Sequence, residues 1–291
     1  MAGDAEQQLR AYVDYFRDMG IHDFYRRGEP IAIEAAAVVV APSTPLVEPL
    51  PVVAKATHAP TPAVAIAAVP LSHVPQEPVI PKLISFDNLA PLPASRIPVA
   101  EREAALQAIR KEIGDCTRCP LAYAGRHNIV FGDGNPGARL MFVGEGPGAD
   151  EDASGLPFVG KAGQLLNNMI AAMGLKREEV YIANIVKCRP PANRVPEPVE
   201  ANTCTQFLVK QIDVVQPEVI VALGATAATY LLGVKQSLVS LRGKWHSCRG
   251  AKLAVTYHPA FLLRDPRQKG EAWKDLQRVM AEMGLKAPAK G

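Results

Sequence analysis

The sequence predicts an α/β protein: a three-layer α/β/α sandwich on a central, mainly parallel four-stranded sheet, with a Pro/Ala-rich N-terminal extension. Three observations predict it. Four short apolar runs, at 139–143, 180–185, 218–223 and 252–256, alternate with stretches of helical periodicity. The runs are apolar on both faces, so both faces of the sheet need helical cover. Residues 30–98 hold 14 of the 26 prolines and no glycine, which sets them apart from the alternating body.

In chain order, residues 1–29 carry a short amphipathic segment. Leu9, Tyr12, Val13 and Phe16 fall at helical spacing, and Gly20 is a natural stop. Residues 30–98 read as a disordered linker, because repeated proline removes donors and favours extended polyproline II. Residues 99–291 form the folded domain. A helix over 101–113 feeds Cys116, and helices over 161–173, 197–214, 225–232 and 268–283 separate or follow the strands. In parallel sheets of this kind the ligand lies beyond the carboxyl ends of the strands. The Gly-rich turn at 144–148, Asn184 and His258 all fall there.

Charge divides the 291 residues in the same place. Residues 1–95 carry 6 Lys and Arg against 10 Asp and Glu, a balance of −4. Residues 96–291 carry 26 against 19, a balance of +7, which fits a polyanionic partner. No apolar run approaches the ~18 residues of a membrane span. The first 20 residues lack a basic, then apolar, leader, so a cytoplasmic address is expected.

Five cysteines in a reducing compartment suggest metal or catalytic use. Cys116 and Cys119 form a C-x2-C, and Cys188 and Cys204 are 16 positions apart. Four such thiolates suit structural zinc or a [4Fe–4S] cluster. The second C-x2-C knuckle of a zinc ribbon is missing. Cys248 reads as a free thiol, packed or exposed. Gly144, Gly146 and Ala149 loosely match a dinucleotide fingerprint. However, Pro147 offers no N–H there, and Asp150, Glu151 and Asp152 would repel a pyrophosphate.

Several motifs in one order make a more specific signal. They are CTRC at 116–119, GEGPG at 144–148, GLPFVG at 155–160, NIVKCRPP at 184–191, Cys204 and HPAFLLR at 258–264. Over roughly residues 100–285 the chain resembles the family 4, iron–sulfur uracil-DNA glycosylases. The resemblance implies their α/β/α fold and a [4Fe–4S] cluster on Cys116, Cys119, Cys188 and Cys204. It also implies hydrolysis of the N-glycosidic bond of uracil flipped out of DNA, leaving an abasic site.

The roles it implies agree with side-chain chemistry. The amide of Asn184 would offer N–H to uracil O4 and C=O to N3–H; by itself Asn184 also reads as a turn cap. Phe158 would stack on the base, and His258 would donate toward O2 as negative charge develops. Stronger relatives carry Asp where this chain has Gly146, so Glu145 is the candidate to orient the attacking water. Backbone N–H groups of Gly146 and Gly148 would face the uracil edge. Leu262, Leu263 and Arg264 would form the wedge entering the duplex. Lys187, Arg189, Arg194, Arg242, Lys244 and Arg249 are candidate phosphate contacts.

Two rivals are a non-catalytic iron–sulfur DNA-binding module and a relative acting on other deaminated bases. Relatives that trap uracil covalently carry a nucleophilic His in a basic insertion, and residues 189–198 contain none. The expected setting is a cytoplasmic, nucleoid-associated monomer acting on uracil-containing DNA. The extension would engage a replication or repair protein.

Overall fold

The computed structural model describes residues 83–286. The helix expected within 5–19 and most of the 30–98 linker lie outside the described residues. The elements are α1 (Phe86–Leu89), α2 (Val99–Ile113), β1 (Asp133–Gly134), β2 (Leu140–Gly144), α3 (Ala149–Ser154), α4 (Lys161–Ala172), β3 (Tyr181–Asn184), α5 (Pro198–Val215), β4 (Val219–Leu223), α6 (Ala225–Leu232), α7 (Leu238–Leu241), β5 (His246–Cys248), β6 (Ala251–Thr256), α8 (Pro259–Arg264) and α9 (Lys269–Met283).

The sheet order is β1-β3-β2-β4-β6-β5. The central four strands are the predicted ones and run parallel. Two antiparallel edge strands, β1 on β3 and β5 on β6, widen the sheet to six. These are two and three residues long, too short to leave a periodic apolar signal. Alternation along the strands feeds two cores. Met141, Val143, Ile220, Ala222, Leu253 and Val255 join Ile109, Phe207 and Leu231 on one face. Leu140, Phe142, Ile182 and Val221 join Leu166, Ile170, Leu276 and Val279 on the other. These are the three layers. Among the described residues no helix is long and apolar enough to cross a membrane.

The 30–98 linker differs from its expectation at its C-terminal end. Phe86 is completely buried in the first core. The Arg249 guanidinium donates to the carbonyls of Phe86 (3.1 Å), Ala90 and Pro91 (2.8 Å), and pairs with Asp213 at 2.6 Å. Asp87 accepts from the Arg249 backbone N–H at 2.5 Å. A proline-rich segment lacks donors but keeps its carbonyls, and a five-donor guanidinium can satisfy several at once. Arg249 is therefore a buried clamp, not a phosphate contact. The docked segment sits at the turn before β6 and the end of α5, the pole opposite the strands' carboxyl ends.

Candidate active site

The chain leaves β2 for β3 on one side and returns to β4 on the other, so the sheet order reverses at β2. A cleft of about 670 Å³ opens beyond the strand ends there. It brings together Glu145, Gly146, Gly148, Phe158, Asn184, His258 and Arg264 from four separate segments.

Asn184 closes β3 directly beside Gly144, the last residue of β2. Its side chain is buried, and Oδ1 is the one buried side-chain polar atom among the described residues without a hydrogen bond. An unpaired buried acceptor is costly, and such atoms call for a ligand or another explanation. The turn-cap alternative is not what Oδ1 does. A Cβ on Gly144 would strike Oδ1 and come within 2.5 Å of Phe158 Cζ, so glycine there lets amide and ring meet. Phe158 itself has φ +52°, a conformation that L residues with side chains rarely adopt. The Arg177 guanidinium holds it there by donating to the carbonyls of Pro157 and Phe158.

His258 lies 5.5 Å from Phe158, ring to ring, and caps α8, its Nδ1 accepting the Ala260 N–H at 3.1 Å. Burial, reinforced by the Arg264 cation, pushes the imidazole down to about 4. The ring is therefore neutral near pH 7. Because Nδ1 accepts, the proton resides on Nε2. That makes His258 an uncharged donor, a point the sequence left open.

The Glu145 carboxylate accepts from Thr226 Oγ1 at 2.5 Å. Thr226 was not anticipated; one hydroxyl at the start of α6 leaves no sequence signal. Glu151 was also missed. Its carboxylate accepts the N–H groups of Gly148 (3.0 Å), Val159 (2.9 Å) and Gly160 (3.1 Å), stapling the Phe158 loop to the Gly-rich turn. An acid three residues into a helix is the recognisable signal. This corrects the role of Gly148, whose N–H is already used. The Gly146 N–H meets no protein acceptor among the described residues. A Cβ at Gly146 would lie 2.7 Å from Val186 Cγ2, so the Asp of stronger relatives does not fit without displacement.

The wedge divides. Leu263 is 44% exposed, whereas Leu262 is 1% exposed and belongs to the core. Successive residues on a helix face different ways, so Leu263 and Arg264 reach outward and Leu262 anchors α8. The basic candidates divide too. Lys187 is fully buried. Arg242 pairs with Asp275 at 2.7 Å and covers the Tyr257 ring. Arg194 pairs with buried Glu200 at 2.7 Å, and Arg189 bonds Asn193. Lys244 stays exposed, and Lys161, missed earlier, is exposed at the cleft.

Below the cleft, Cys116, Cys119, Cys188 and Cys204 line one cavity with Ile113, Ile129 and Phe207. Donors converge on the sulfurs. Arg118 lies 3.3 Å from Cys116 Sγ, Arg126 lies 3.4 Å from Cys188 Sγ, and the Lys187 N–H lies 3.3 Å from Cys204 Sγ. Burial pushes the Cys204 thiol up to about 12 and raises Cys188 and Cys119. Thiolates here need a cationic partner. Four sulfurs lining one cavity are a donor set that could hold a thiolate-bound metal centre. Cys248 is completely buried and lies outside that cavity, so of the packed and exposed alternatives it is the packed one.

Comparison with known proteins identifies the family. The family model of the Uracil DNA glycosylase superfamily matches residues 131–277. A type-4 uracil-DNA glycosylase of Thermotoga maritima is 47% identical over 183 residues, covering 62% of this chain and 92% of that protein. Its counterpart from Archaeoglobus fulgidus is 40% identical over 191 residues, covering 63% and 96%. That from Pyrobaculum aerophilum is 42% identical over 179 residues, covering 59% and 91%.

Proposed function

Because the chain belongs to the uracil-DNA glycosylase superfamily, in its type-4 branch, we infer that this cleft excises uracil from DNA by hydrolysis, with the roles below. The observation that carries the assignment is Asn184 Oδ1, buried, unpaired and facing a cleft bounded by Phe158 and His258.

A flipped uracil stacks on Phe158. Its N3–H donates to Asn184 Oδ1, and its O4 accepts from Nδ2. Cytosine would set a bare N3 against Oδ1 and an amino group against Nδ2, two mismatches at buried polar atoms. As the bond between N1 and C1′ breaks, its electron pair passes to uracil. The neutral His258 Nε2–H donates toward O2, stabilising the anion without first losing a proton. Water oriented by Glu145, itself held by Thr226, attaches its oxygen to C1′. The water proton passes to the carboxylate or to solvent, and uracil gains its proton after departure. Leu263 enters the stack vacated by the nucleotide, and Arg264, Lys161 and Lys244 meet phosphates.

The four cysteines would hold a [4Fe–4S] cluster, whose contribution when bound is structural cross-linking, since hydrolysis transfers no electron. Arg126 and Arg118 orient toward its thiolates. The enzyme acts as a monomer in the cytoplasm, on the nucleoid, and its N-terminal extension recruits a replication or repair partner.

The test uses a uracil-containing oligonucleotide and iron-loaded full-length protein. Abasic product without strand incision is expected, with loss of excision in Asn184→Ala. Absence of abasic product would favour a non-catalytic binding module. Incision without alkali would point to Lys161 as a lyase nucleophile. Equal turnover of hypoxanthine would favour a broader deaminated-base enzyme.

A further inference from the structure

Lys187 is one of the largest fully buried side chains in the protein, and the mechanism above does not use it. Its ammonium donates to the Asn184 carbonyl at 2.9 Å and to Gln211 Oε1 at 2.6 Å. Gln211, on α5, is fixed in turn by donating to the Phe131 carbonyl (2.9 Å) and the Tyr181 hydroxyl (3.1 Å). The Lys187 backbone N–H contacts Cys204 Sγ, and the next residue is Cys188.

These contacts form one continuous path. The strand ladder between β2 and β3 ends at the Gly144–Asn184 pair. Beyond it, the Ile185 and Val186 N–H groups bond the Gly144 and Glu145 carbonyls at 3.0 and 3.1 Å. The Asn184 carbonyl is held by Lys187, three residues later. A buried ammonium is an expensive way to satisfy a carbonyl, because both of its direct partners are neutral oxygens. A neutral donor would serve a purely structural turn at less cost. What the ammonium adds is a strong, charge-assisted hold on one peptide. That peptide carries the Asn184 side chain.

We propose that Lys187 is a positioning residue: it fixes the base-reading Asn184 to a frame made by Gln211 and the cysteine-bearing loop. The inference rests on the reading of Asn184 given above. Lys187 touches neither uracil nor sugar, so its effect falls on the alignment of the amide with the base rather than on DNA capture.

The experiment compares iron-loaded, full-length wild type with Lys187→Met, Gln211→Met and Asn184→Ala. Iron content and the visible spectrum are measured first. Then come single-turnover excision, the KM for uracil-containing DNA, and the affinity for free uracil by calorimetry. Lys187→Met removes the ammonium while keeping length and apolar volume. With full iron, it should slow single turnover on the order of tenfold to a hundredfold, the scale that misplacing a binding group brings. Free-uracil affinity should fall in parallel, and KM for DNA should stay near wild type. Gln211→Met, which leaves the cysteine loop intact, should show the same split to a smaller degree. Wild-type turnover and uracil affinity in both Met variants, at full iron, would overturn the proposal. Loss of iron from both would overturn it also, in favour of a role in holding the cluster. Should Asn184→Ala itself excise and bind uracil normally, the reading of Asn184 fails. If only the Asn184 variant is impaired, the Lys187 inference fails alone.

Discussion

Neutral His258 is a prediction with a number attached. The imidazole's value of about 4 lies well below its ordinary 6.5. The unfolded chain takes up this proton as pH falls through 6.5, whereas the folded protein resists until about 4. His258 therefore leaves stability undiminished above pH 6.5 and erodes it as pH falls toward 4. A depression of this size corresponds to roughly 3 kcal/mol once complete, and about 2 kcal/mol of that has gone by pH 5. Asp152, Glu200 and Glu218 are also held below their ordinary range and destabilise the fold in acid, but they do so equally in a His258→Gln variant. The difference in unfolding free energy between wild type and His258→Gln, measured in urea at pH 8 and pH 5, isolates the histidine. It should shift by about 2 kcal/mol toward the variant at the lower pH. An NMR titration of the ring Cε1–H reads the same value directly. Single-turnover excision should stay level from pH 8 to pH 5 and fall only as pH nears 4. A ring titrating near 6.5, with activity following the charged form, would refute the neutral-donor argument.

The other predictions are briefer. Leu263→Ala should lower excision from duplex DNA more than from single strands without changing stability. Leu262→Ala should cost about 2–5 kcal/mol of stability, as buried leucine truncations do, read by urea unfolding. Thr226→Val removes the hydroxyl on Glu145 and should slow single turnover about tenfold, the scale of one hydrogen bond, with DNA affinity retained. Phe86→Ala should cost about 3–5 kcal/mol although it lies far from the cleft; an unchanged denaturation midpoint would show that the segment is not docked.

The sequence revealed the parallel core because buried strands leave dense apolar runs, and it revealed the site motifs because they are contiguous in the chain. What it hid was set by geometry. Leu262 and Leu263 look alike in a string and differ only by the helix face they occupy. Lys187 and Arg249 look like surface cations until their carbonyl and side-chain partners come together from distant segments. Gly148 looked free to meet the base because its own acceptor, Glu151, is a side chain folded back by α3. The proline pattern extended the linker to residue 98, since proline frequency says nothing of a single Phe86 that finds a core. A domain cut at residue 96 would remove that anchor, so a minimal protein has to begin ahead of Phe86.

Helix α8 has six residues, roughly 9 Å of rod. His258 caps one end, and Leu263 and Arg264 form the other. Leu262, 1% exposed beneath, ties the rod to the core. The same six residues thus hold the proposed wedge and the proposed donor at one fixed spacing, so a substitution that breaks this short helix should impair DNA insertion and bond cleavage together.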